Sequence, residues 1–362
     1  MLMNRSFKIF LLFFFVAISS SSCYFFNGYY VRKDFKYPKP VDTKSKNIQY
    51  QIKKIYSFDN VYFDNTFDGA RMNNVSKLDD STYQVDILPE NYPINDSPWY
   101  SFRVWSDSIR NIYIKLNYEN GHHRYIPKIS SDRTHWNVID TSGLVIADDR
   151  SFAIFPFKVD TSKIWISAEE IINSSDVKIW MQKLKKNAFT SRFLSVGKTK
   201  LNKGIPFFRI GTGNSKGKDV IVLLSRQHPP EISGFLALKS FIEELLIENK
   251  VTEDFYKEYE FWVFPLMNPD GVDLGHWRHN ANGVDLNRDW AYYRQPEVDA
   301  VTDFIVSNAK ENKNEIVLSV DFHSTQKDVY YVYDDSFDTE LKRFTKYWTD
   351  SIDRLIYPFE SV

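Results

Sequence analysis

The chain has 362 residues, and its 46 Lys and Arg against 47 Asp and Glu give a formal net charge of −1. This balance argues against proteins that bind nucleic acid through a basic surface, and the 29 Phe, 22 Tyr and 9 Trp exclude a disordered chain. One cysteine allows neither an intrachain disulfide nor a thiolate zinc cage. Any metal site must therefore use the 7 His and the carboxylates. The length predicts about two domains.

The first 22 residues have the pattern of a bacterial export signal. Arg5 and Lys8 precede an apolar run over residues 9–18, which is too short to span a bilayer, and serines lead up to Cys23. Cys23 resembles the acylated cysteine of bacterial lipoproteins, although Ser20 stands where leucine is usual. We therefore expect an exported protein that a lipid anchor at Cys23 holds on the membrane, in the periplasm or at the cell surface. The alternative is a plain secretory signal and a secreted protein.

The region that follows is predicted to be a tether and then a β-domain. Residues 23–48 are polar and basic and contain two prolines, which is typical of a tether. From 49 to 168, short β-rich runs alternate with clusters of Asn, Asp, Gly and Pro, and this spacing predicts an antiparallel β-sandwich domain. The predicted strands include Ser81–Leu88, Trp99–Trp105, Ile109–Tyr118, Trp136–Ile139, Phe152–Val159 and Lys163–Ser167.

Residues 170–362 change to strands that alternate with helices, which predicts an α/β domain. The predicted helices are Asp176–Lys186, Ile232–Glu248, Pro296–Ala309 and Phe337–Leu355. The predicted strands are Arg192–Thr199, Ile205–Gly211, Asp219–Ser225, Glu260–Leu266, Ile316–Asp321 and Asp328–Tyr333. In such sheets the chemistry lies at the carboxyl ends of the strands.

Two of these strands end in potential metal ligands. His228 follows the 219–225 run, and Glu231 lies in the opening turn of the next helix. Alone, this pair could equally be a dipole-complementing glutamate beside a chance histidine. His323 follows the 316–321 run at the end of another strand. Two imidazoles and one carboxylate leave a fourth position for water, which is the pattern of a catalytic zinc site.

Between these elements, residues 268–290 read NPDGVDLGHWRHNANGVDLNRDW and predict a long ordered loop of functional type. Arg288 beside Asn287 could clamp a chain-terminal carboxylate through paired hydrogen bonds. Arg278 could face the oxygen on which charge develops during amide hydrolysis. The alternative is that these arginines only hold the loop by pairing with its acids, Asp270, Asp285 and Asp289.

In this order, His228-x-x-Glu231, the 268–271 NPDG run, Trp277-Arg278, the 283–290 run and His323 resemble the M14 family of zinc carboxypeptidases. The short spacing from Arg278 to Asn287 is similar to the cytosolic-carboxypeptidase-like bacterial branch, whose members commonly carry a β-sandwich before the catalytic domain. The resemblance covers about residues 175–335. It implies an α/β fold with a mixed-sheet carboxypeptidase domain, and hydrolysis of C-terminal peptide bonds.

The resemblance also implies site roles. The implied ligands of one Zn²⁺ are His228, Glu231 and His323. Arg278 is implied as transition-state stabiliser, and Asn287 with Arg288 as the clamp on the free C-terminal carboxylate of a peptide substrate. His276 and His279 match no ligand position and are interpreted as loop histidines.

The general base of the family is a glutamate on a late strand, several dozen residues past the third ligand, and here the chain ends at Val362. We therefore expect a C-terminally truncated carboxypeptidase domain that keeps the zinc ligands and the clamp. It would lack the base and the end of the sheet, and have little or no peptidase activity as given. The late carboxylates are interpreted as surface charges: Asp334, Asp335, Asp338, Glu340 and Glu360.

Two other functions stay open. One is a zinc-dependent deacylase or amidase that acts on N-acyl amino acids or cell-wall peptides, since the same clamp would hold their free carboxylate. The other is a non-catalytic, surface-anchored binding lipoprotein on a peptidase fold. Its ligand platform would be built from Trp99, Trp105 and Trp136, although such residues are more often sandwich core.

Overall fold

A computed structural model describes residues 23–26, 29–32, 39, 42–43, 47–324 and 343–355. The predicted signal segment and the predicted Asp328–Tyr333 strand lie outside these residues. Within the stretch predicted as a tether, β1 (Cys23–Phe26) pairs antiparallel with β2 (Tyr29–Arg32). No helix in the described part of the chain combines the length and apolarity that a bilayer span requires.

Short strands between residues 55 and 167 form two sheets. They are β3 (Ile55–Phe58), β4 (Val61–Asp64), β5 (Asn74–Lys77), β6 (Thr82–Ile87), β7 (Ser101–Ser106), β8 (Arg110–Tyr118), β9 (Lys128–Ser130), β10 (Asn137–Val138), β11 (Val145–Ile146), β12 (Phe152–Val159) and β13 (Ile164–Ser167). Their orders are β10-β9-β13-β7-β4-β3 and β11-β12-β8-β6-β5. Pairing is antiparallel except between β6 and β8, which confirms the antiparallel prediction with one parallel exception.

Alternating side chains of these strands fill the core between the two sheets. In β6, Tyr83 and Val85 are buried, and in β8 Ile112 and Ile114 are buried, while the residues between them are more exposed. Period-two alternation is the pattern of a sheet with one covered face. Trp99 is buried in this core, so it does not belong to an exposed aromatic platform.

The second half of the chain forms a mixed sheet in the order β14-β15-β17-β16-β18. Its strands are β14 (Thr190–Lys198), β15 (Gly204–Ile210), β16 (Asp219–Ser225), β17 (Tyr259–Phe264) and β18 (Glu315–Phe322). The helices are α1 (Ser174–Leu184), α2 (Ile232–Leu245), α3 (Lys250–Glu258), α4 (Pro269–Leu274), α5 (Pro296–Asn312) and α6 (Phe344–Leu355). Strands β16, β17 and β18 run parallel, whereas β14 and β15 pair antiparallel, which confirms the mixed α/β prediction.

Both faces of this sheet are covered, as the continuous apolar run of β16 predicts. Leu223 packs on the face that carries Phe235 of α2. Val222 packs on the opposite face with Val298 of α5. Because packing fixes the central strands from both sides, their carboxyl ends form a rigid edge for a site.

The predicted helix Ile232–Glu248 was too long. Helix α2 ends at Leu245, and a separate helix, α3, begins after Asn249. The Asn249 side chain accepts from the N–H groups of Val251 and Thr252, and Thr252 Oγ1 accepts from the Asn249 N–H. Such local side-chain bonding competes with helix continuation and starts a new helix.

Candidate active site

The site lies at the carboxyl ends of β16 and β18. These strands are parallel neighbours, and their last residues, Ser225 and Phe322, are in register. His228 lies in the short turn after β16, and His323 directly follows β18. The topology therefore brings two histidines that are distant in sequence to one edge of the sheet.

Glu231 occupies the N-cap position of α2, but its side chain makes no capping hydrogen bond. Ser324 takes over part of this task, since its Oγ accepts from the Gly234 N–H at 2.8 Å. A Cβ on Gly234 would lie 2.6 Å from the His323 carbonyl oxygen, so only glycine allows this close approach of α2 to the end of β18. The Glu231 carboxylate is thereby available to the histidines.

The three predicted ligands converge. Glu231 Oε1 lies 2.9 Å from His228 Nδ1, and Glu231 Oε2 lies 2.8 Å from His323 Nδ1. One ligand atom from each residue lies within 4.8 Å of the others. The side chains are mostly buried, with exposed fractions of 8 %, 14 % and 23 % for His228, Glu231 and His323. Two imidazole nitrogens and a carboxylate at these separations are a donor set that suits a divalent transition metal.

The outer nitrogen of each histidine contacts a second carboxylate. His228 Nε2 lies 2.9 Å from Asp285 Oδ1, and His323 Nε2 lies 2.7 Å from Asp321 Oδ2. A carboxylate there favours the tautomer with hydrogen on Nε2, which turns the Nδ1 lone pair toward the common centre. Neither aspartate was predicted to have this role. The role of Asp321 could have been suspected from the sequence, because Asp321 lies two residues before His323.

These contacts set the charges of the site. Burial opposes ionisation of Glu231, but hydrogen bonds with His228 and His323 lower its pKa to about 2. Burial likewise opposes protonation of His323, yet hydrogen bonds with Asp321 and Glu231 raise its pKa to about 10. The pKa of His228 is also raised, because hydrogen bonds with Asp285 and Glu231 outweigh its burial. A metal cation that binds at the centre displaces the protons that His228 and His323 would otherwise hold there.

Arg278 reaches the site through Asp285. Its Nε donates to Asp285 Oδ2 at 2.8 Å, and its Nη2 lies 2.7 Å from the same oxygen. Asp285 thus joins Arg278 to His228. Arg278 therefore does pair with an acid of its own loop, as the loop-holding alternative predicts. Its side chain is still 31 % exposed, so part of the guanidinium stays accessible to a ligand.

Asn287 and Arg288 lie in a single 3₁₀ turn, Leu286–Arg288, that Asp285 caps. Asp285 Oδ1 accepts from the Asn287 N–H at 2.9 Å, and Arg288 Nη1 donates to the Asn287 carbonyl at 3.0 Å. Asp289 instead pairs with Arg294, at 3.6 Å. The turn therefore places the predicted clamp directly after the aspartate that contacts His228.

The two remaining loop histidines are buried outside the three-residue group. His276 Nδ1 lies 3.0 Å from the His279 carbonyl oxygen, and His279 Nδ1 lies 2.8 Å from Asn91 Oδ1. Burial lowers the pKa of His276 to about 4. Among the described residues, the only group of metal-binding type is the one formed by His228, Glu231 and His323.

Other predicted residues fall at or beyond the limits of the structure. Cys23 is the first residue of β1. The late carboxylates considered as bases all lie outside the described residues: Asp334, Asp335, Asp338, Glu340 and Glu360.

Comparison with curated proteins finds relatives among the cytosolic carboxypeptidases. Cytosolic carboxypeptidase 6 of Caenorhabditis elegans is 25% identical over 297 residues, which cover 76% of this chain and 64% of that protein. The chain therefore spans less than two thirds of this relative's length.

Solved structures show the same fold. A putative carboxypeptidase from Burkholderia mallei superposes with a TM-score of 0.68 at 20% identity, over 83% of this chain and 79% of that one. A metallo-carboxypeptidase from Pseudomonas aeruginosa, in complex with (2-guanidinoethylmercapto)succinic acid, gives a TM-score of 0.62 at 18% identity, over 83% and 82%.

The family model described as zinc carboxypeptidase matches residues 177–354. This segment contains the mixed sheet, the converging histidines and the loop with Arg278. Residues 177–354 therefore form a zinc carboxypeptidase domain of the M14 family.

Proposed function

We propose that the protein is a zinc-dependent metallocarboxypeptidase that hydrolyses C-terminal peptide bonds of exported or extracellular peptides. The observation that carries this proposal is the convergence of His228, Glu231 and His323 beside Asp285, which also holds Arg278. The family match supports the reaction class.

The chain would hold one zinc ion through His228 Nδ1, His323 Nδ1 and the Glu231 carboxylate. Asp285 and Asp321 would keep the two imidazoles oriented, a supporting role that metal-bound histidines generally need. When bound, zinc would polarise the scissile carbonyl of the substrate and lower the pKa of its bound water toward ~7.

Arg278, Asn287 and Arg288 would bind the peptide substrate. The guanidinium of Arg278 would donate to the oxygen on which negative charge develops, an interaction typically worth ~2.7–4 kcal/mol per donor. Asn287 and Arg288 would bind the free carboxylate of the substrate and so restrict attack to its last peptide bond. The hydrogen bond from the Asn287 N–H to Asp285, which also binds Arg278, supports the assignment of both tasks to one loop.

The proposed location rests on the sequence alone. Arg5 and Lys8, the apolar run over 9–18 and Cys23 support export and lipid anchoring at a membrane. Secretion without an anchor is the alternative outcome.

Zinc binding is the first test, because it does not depend on turnover. The metal-free protein is titrated with zinc by calorimetry, and it should bind about one equivalent. His228→Ala and His323→Ala should abolish this binding, whereas His135→Ala, an exposed histidine in the β-rich region, should leave it unchanged. Full zinc occupancy in both ligand variants would contradict the assignment.

Ligand binding is the second test. The probe is (2-guanidinoethylmercapto)succinic acid, which the Pseudomonas aeruginosa structure contains. It should bind the zinc-loaded chain, and Arg288→Ala should weaken binding.

Turnover is then compared on peptides with free or amidated C-termini and on N-acyl amino acids. Preference for free peptide ends supports a carboxypeptidase, and hydrolysis of N-acyl amino acids alone supports the deacylase.

A further inference from the structure

The loop that carries Arg278 is held by a carboxylate from the β-rich half of the chain. Glu90 Oε1 accepts from the N–H groups of Arg278 at 2.8 Å and His279 at 3.1 Å, and Oε2 accepts from the Trp277 N–H at 3.2 Å. Glu90 is 1 % exposed. Three consecutive backbone donors of the loop thus converge on a single buried side chain.

The neighbouring Asn91 holds the same loop at two further points. Its Oδ1 lies 2.8 Å from His279 Nδ1, and its Nδ2 donates to the Gly283 carbonyl at 3.1 Å. Trp277 adds a contact on the other side, where its Nε1 donates to the Tyr125 hydroxyl at 2.9 Å. The conformation of residues 277–283 is therefore set by partners that lie more than one hundred residues earlier in the chain.

Glu90 binds these donors as an anion. Burial opposes its ionisation, but the hydrogen bond with His279 and the charge of Arg71 hold the pKa of Glu90 far below its ordinary value. Arg71 is itself buried and donates Nε to the Leu88 carbonyl at 2.9 Å. Hydrogen bonds to a charged acceptor are about twice as strong as neutral ones, which explains why a buried carboxylate can fix a loop.

The two halves also touch through the ion pair of Arg133 with Asp176, at 2.5 Å, and through neutral groups. Gln51 Nε2 donates to the Leu274 carbonyl at 3.3 Å, for example. A buried charge is costly to desolvate unless its donors are fixed in place. The carboxylate of Glu90 meets its fixed donors in the segment that carries Arg278.

Arg278 is fixed at both ends by this arrangement. Its backbone N–H binds Glu90, and its guanidinium binds Asp285, whose other oxygen lies 2.9 Å from His228 Nε2. We propose that Glu90 is a positioning residue for Arg278, so that the β-rich half of the chain takes part in stabilising the transition state. This inference rests on the proposed carboxypeptidase function.

The test compares two kinds of ligand on the zinc-loaded full chain. A phosphonate with tetrahedral phosphorus in place of the scissile carbonyl carbon mimics the transition state, and the free C-terminal amino acid serves as ground-state ligand. Each of the two ligands is used in three versions, which carry a Phe, Lys or Glu side chain at the C-terminal position. Glu90→Gln should weaken phosphonate binding by ~10- to 100-fold, because a misplaced Arg278 loses part of the ~100- to 1,000-fold contribution of one oxyanion donor. It should leave binding of the amino acid nearly unchanged.

A matched control is Asp64→Asn, which also removes a buried carboxylate from the β-rich half. Asp64 pairs with Arg103 and accepts from the Thr66 N–H at 2.7 Å. This variant should lower the melting temperature without changing either affinity. Hydrogen exchange adds a readout without ligand, since the amides of residues 277–279 should exchange faster in Glu90→Gln and not in Asp64→Asn.

A double-mutant cycle separates positioning from general stabilisation. If Glu90 acts through Arg278, Glu90→Gln should cost no further phosphonate affinity in the Arg278→Ala background. An equal loss in both backgrounds would overturn the proposal, and so would unchanged phosphonate affinity in Glu90→Gln. If Glu90→Gln fails to fold, Glu90→Asp, which keeps the charge and shortens the side chain, is measured in the same cycle. Failure of the wild-type chain to bind either ligand would instead refute the proposed function and, with it, this inference.

Discussion

Asp285 Oδ1 lies 2.9 Å from His228 Nε2, while the other oxygen of the same carboxylate binds the guanidinium of Arg278. A single side chain thus orients a proposed zinc ligand and a proposed oxyanion donor. Burial opposes its ionisation, but His228, Arg278 and Arg288 lower the pKa of Asp285 well below its ordinary value. The carboxylate therefore stays charged across the physiological pH range.

Asp285→Asn should weaken zinc binding by ~10- to 100-fold, the usual cost of removing a carboxylate that supports a histidine ligand. The loss should be measured by competition with a chromogenic chelator. Asp303→Asn removes an exposed carboxylate on α5 and should have no effect. Equal zinc affinity in wild type and Asp285→Asn would contradict the orienting role.

Gly234→Ala should separate Glu231 from His323. The added Cβ would lie 2.6 Å from the His323 carbonyl oxygen, so α2 must shift away from the end of β18. We expect a destabilisation of ~1–3 kcal/mol, as for other overpacked positions, together with weaker zinc binding. Thermal unfolding and chelator competition measure the two effects. Ser240→Ala, at an exposed position of the same helix, should change neither.

Glu297→Gln should change how stability depends on pH. Burial raises the pKa of Glu297 from 4.5 to about 7, and one oxygen accepts from Asn280 Nδ2 at 3.0 Å. Between these pH values the unfolded chain releases the proton that the folded chain retains, so the wild type loses stability as the pH rises. Glutamine imitates the neutral acid and keeps the acceptor.

The two proteins should therefore have similar free energies of unfolding near pH 4.5. The Gln variant should be more stable by roughly 3 kcal/mol above pH 7, from 1.36 kcal/mol per pKa unit. Urea unfolding at a series of pH values measures this difference. Glu311→Gln, at an exposed position of α5, serves as the control. A constant difference for Glu297→Gln would contradict the raised pKa.

Arg288→Lys tests the carboxylate clamp with the charge retained. Lysine cannot make the two parallel hydrogen bonds of a guanidinium, so affinity for the succinate probe should fall by ~10-fold, a loss of about 1.4 kcal/mol. Zinc affinity should not change. Arg294→Lys is the control, because the Arg294 side chain is 56 % exposed and pairs with Asp289. A loss of similar size in both variants would argue for a general charge effect.

Cys23→Ser tests the proposed anchor. Expressed in a bacterium that acylates exported lipoproteins, the wild-type protein should partition into detergent, and the variant should appear in the soluble fraction. One acyl chain binds membranes only marginally, so stable partitioning requires a multi-chain anchor. Equal partitioning of the two proteins would favour plain secretion.

The sequence by itself predicted the fold class and the convergence of the three candidate ligands. Period-two alternation in Thr82–Ile87 and the continuous apolar run Asp219–Ser225 distinguish a half-covered from a fully covered strand, since each pattern reflects local burial. His228 and His323 follow two such covered strands, so their approach could be expected from the rule that parallel strands end at one edge.

Only the tertiary structure decided what supports these residues. The bond from the Arg278 N–H to Glu90 joins positions 188 residues apart, and the contact of His228 with Asp285 spans 57. Periodicity and local spacing describe neighbours along the chain and carry no information on which distant carboxylate meets which donor. Packing of the two halves fixes that choice, because a buried charge is stable only where folded segments bring its partners together.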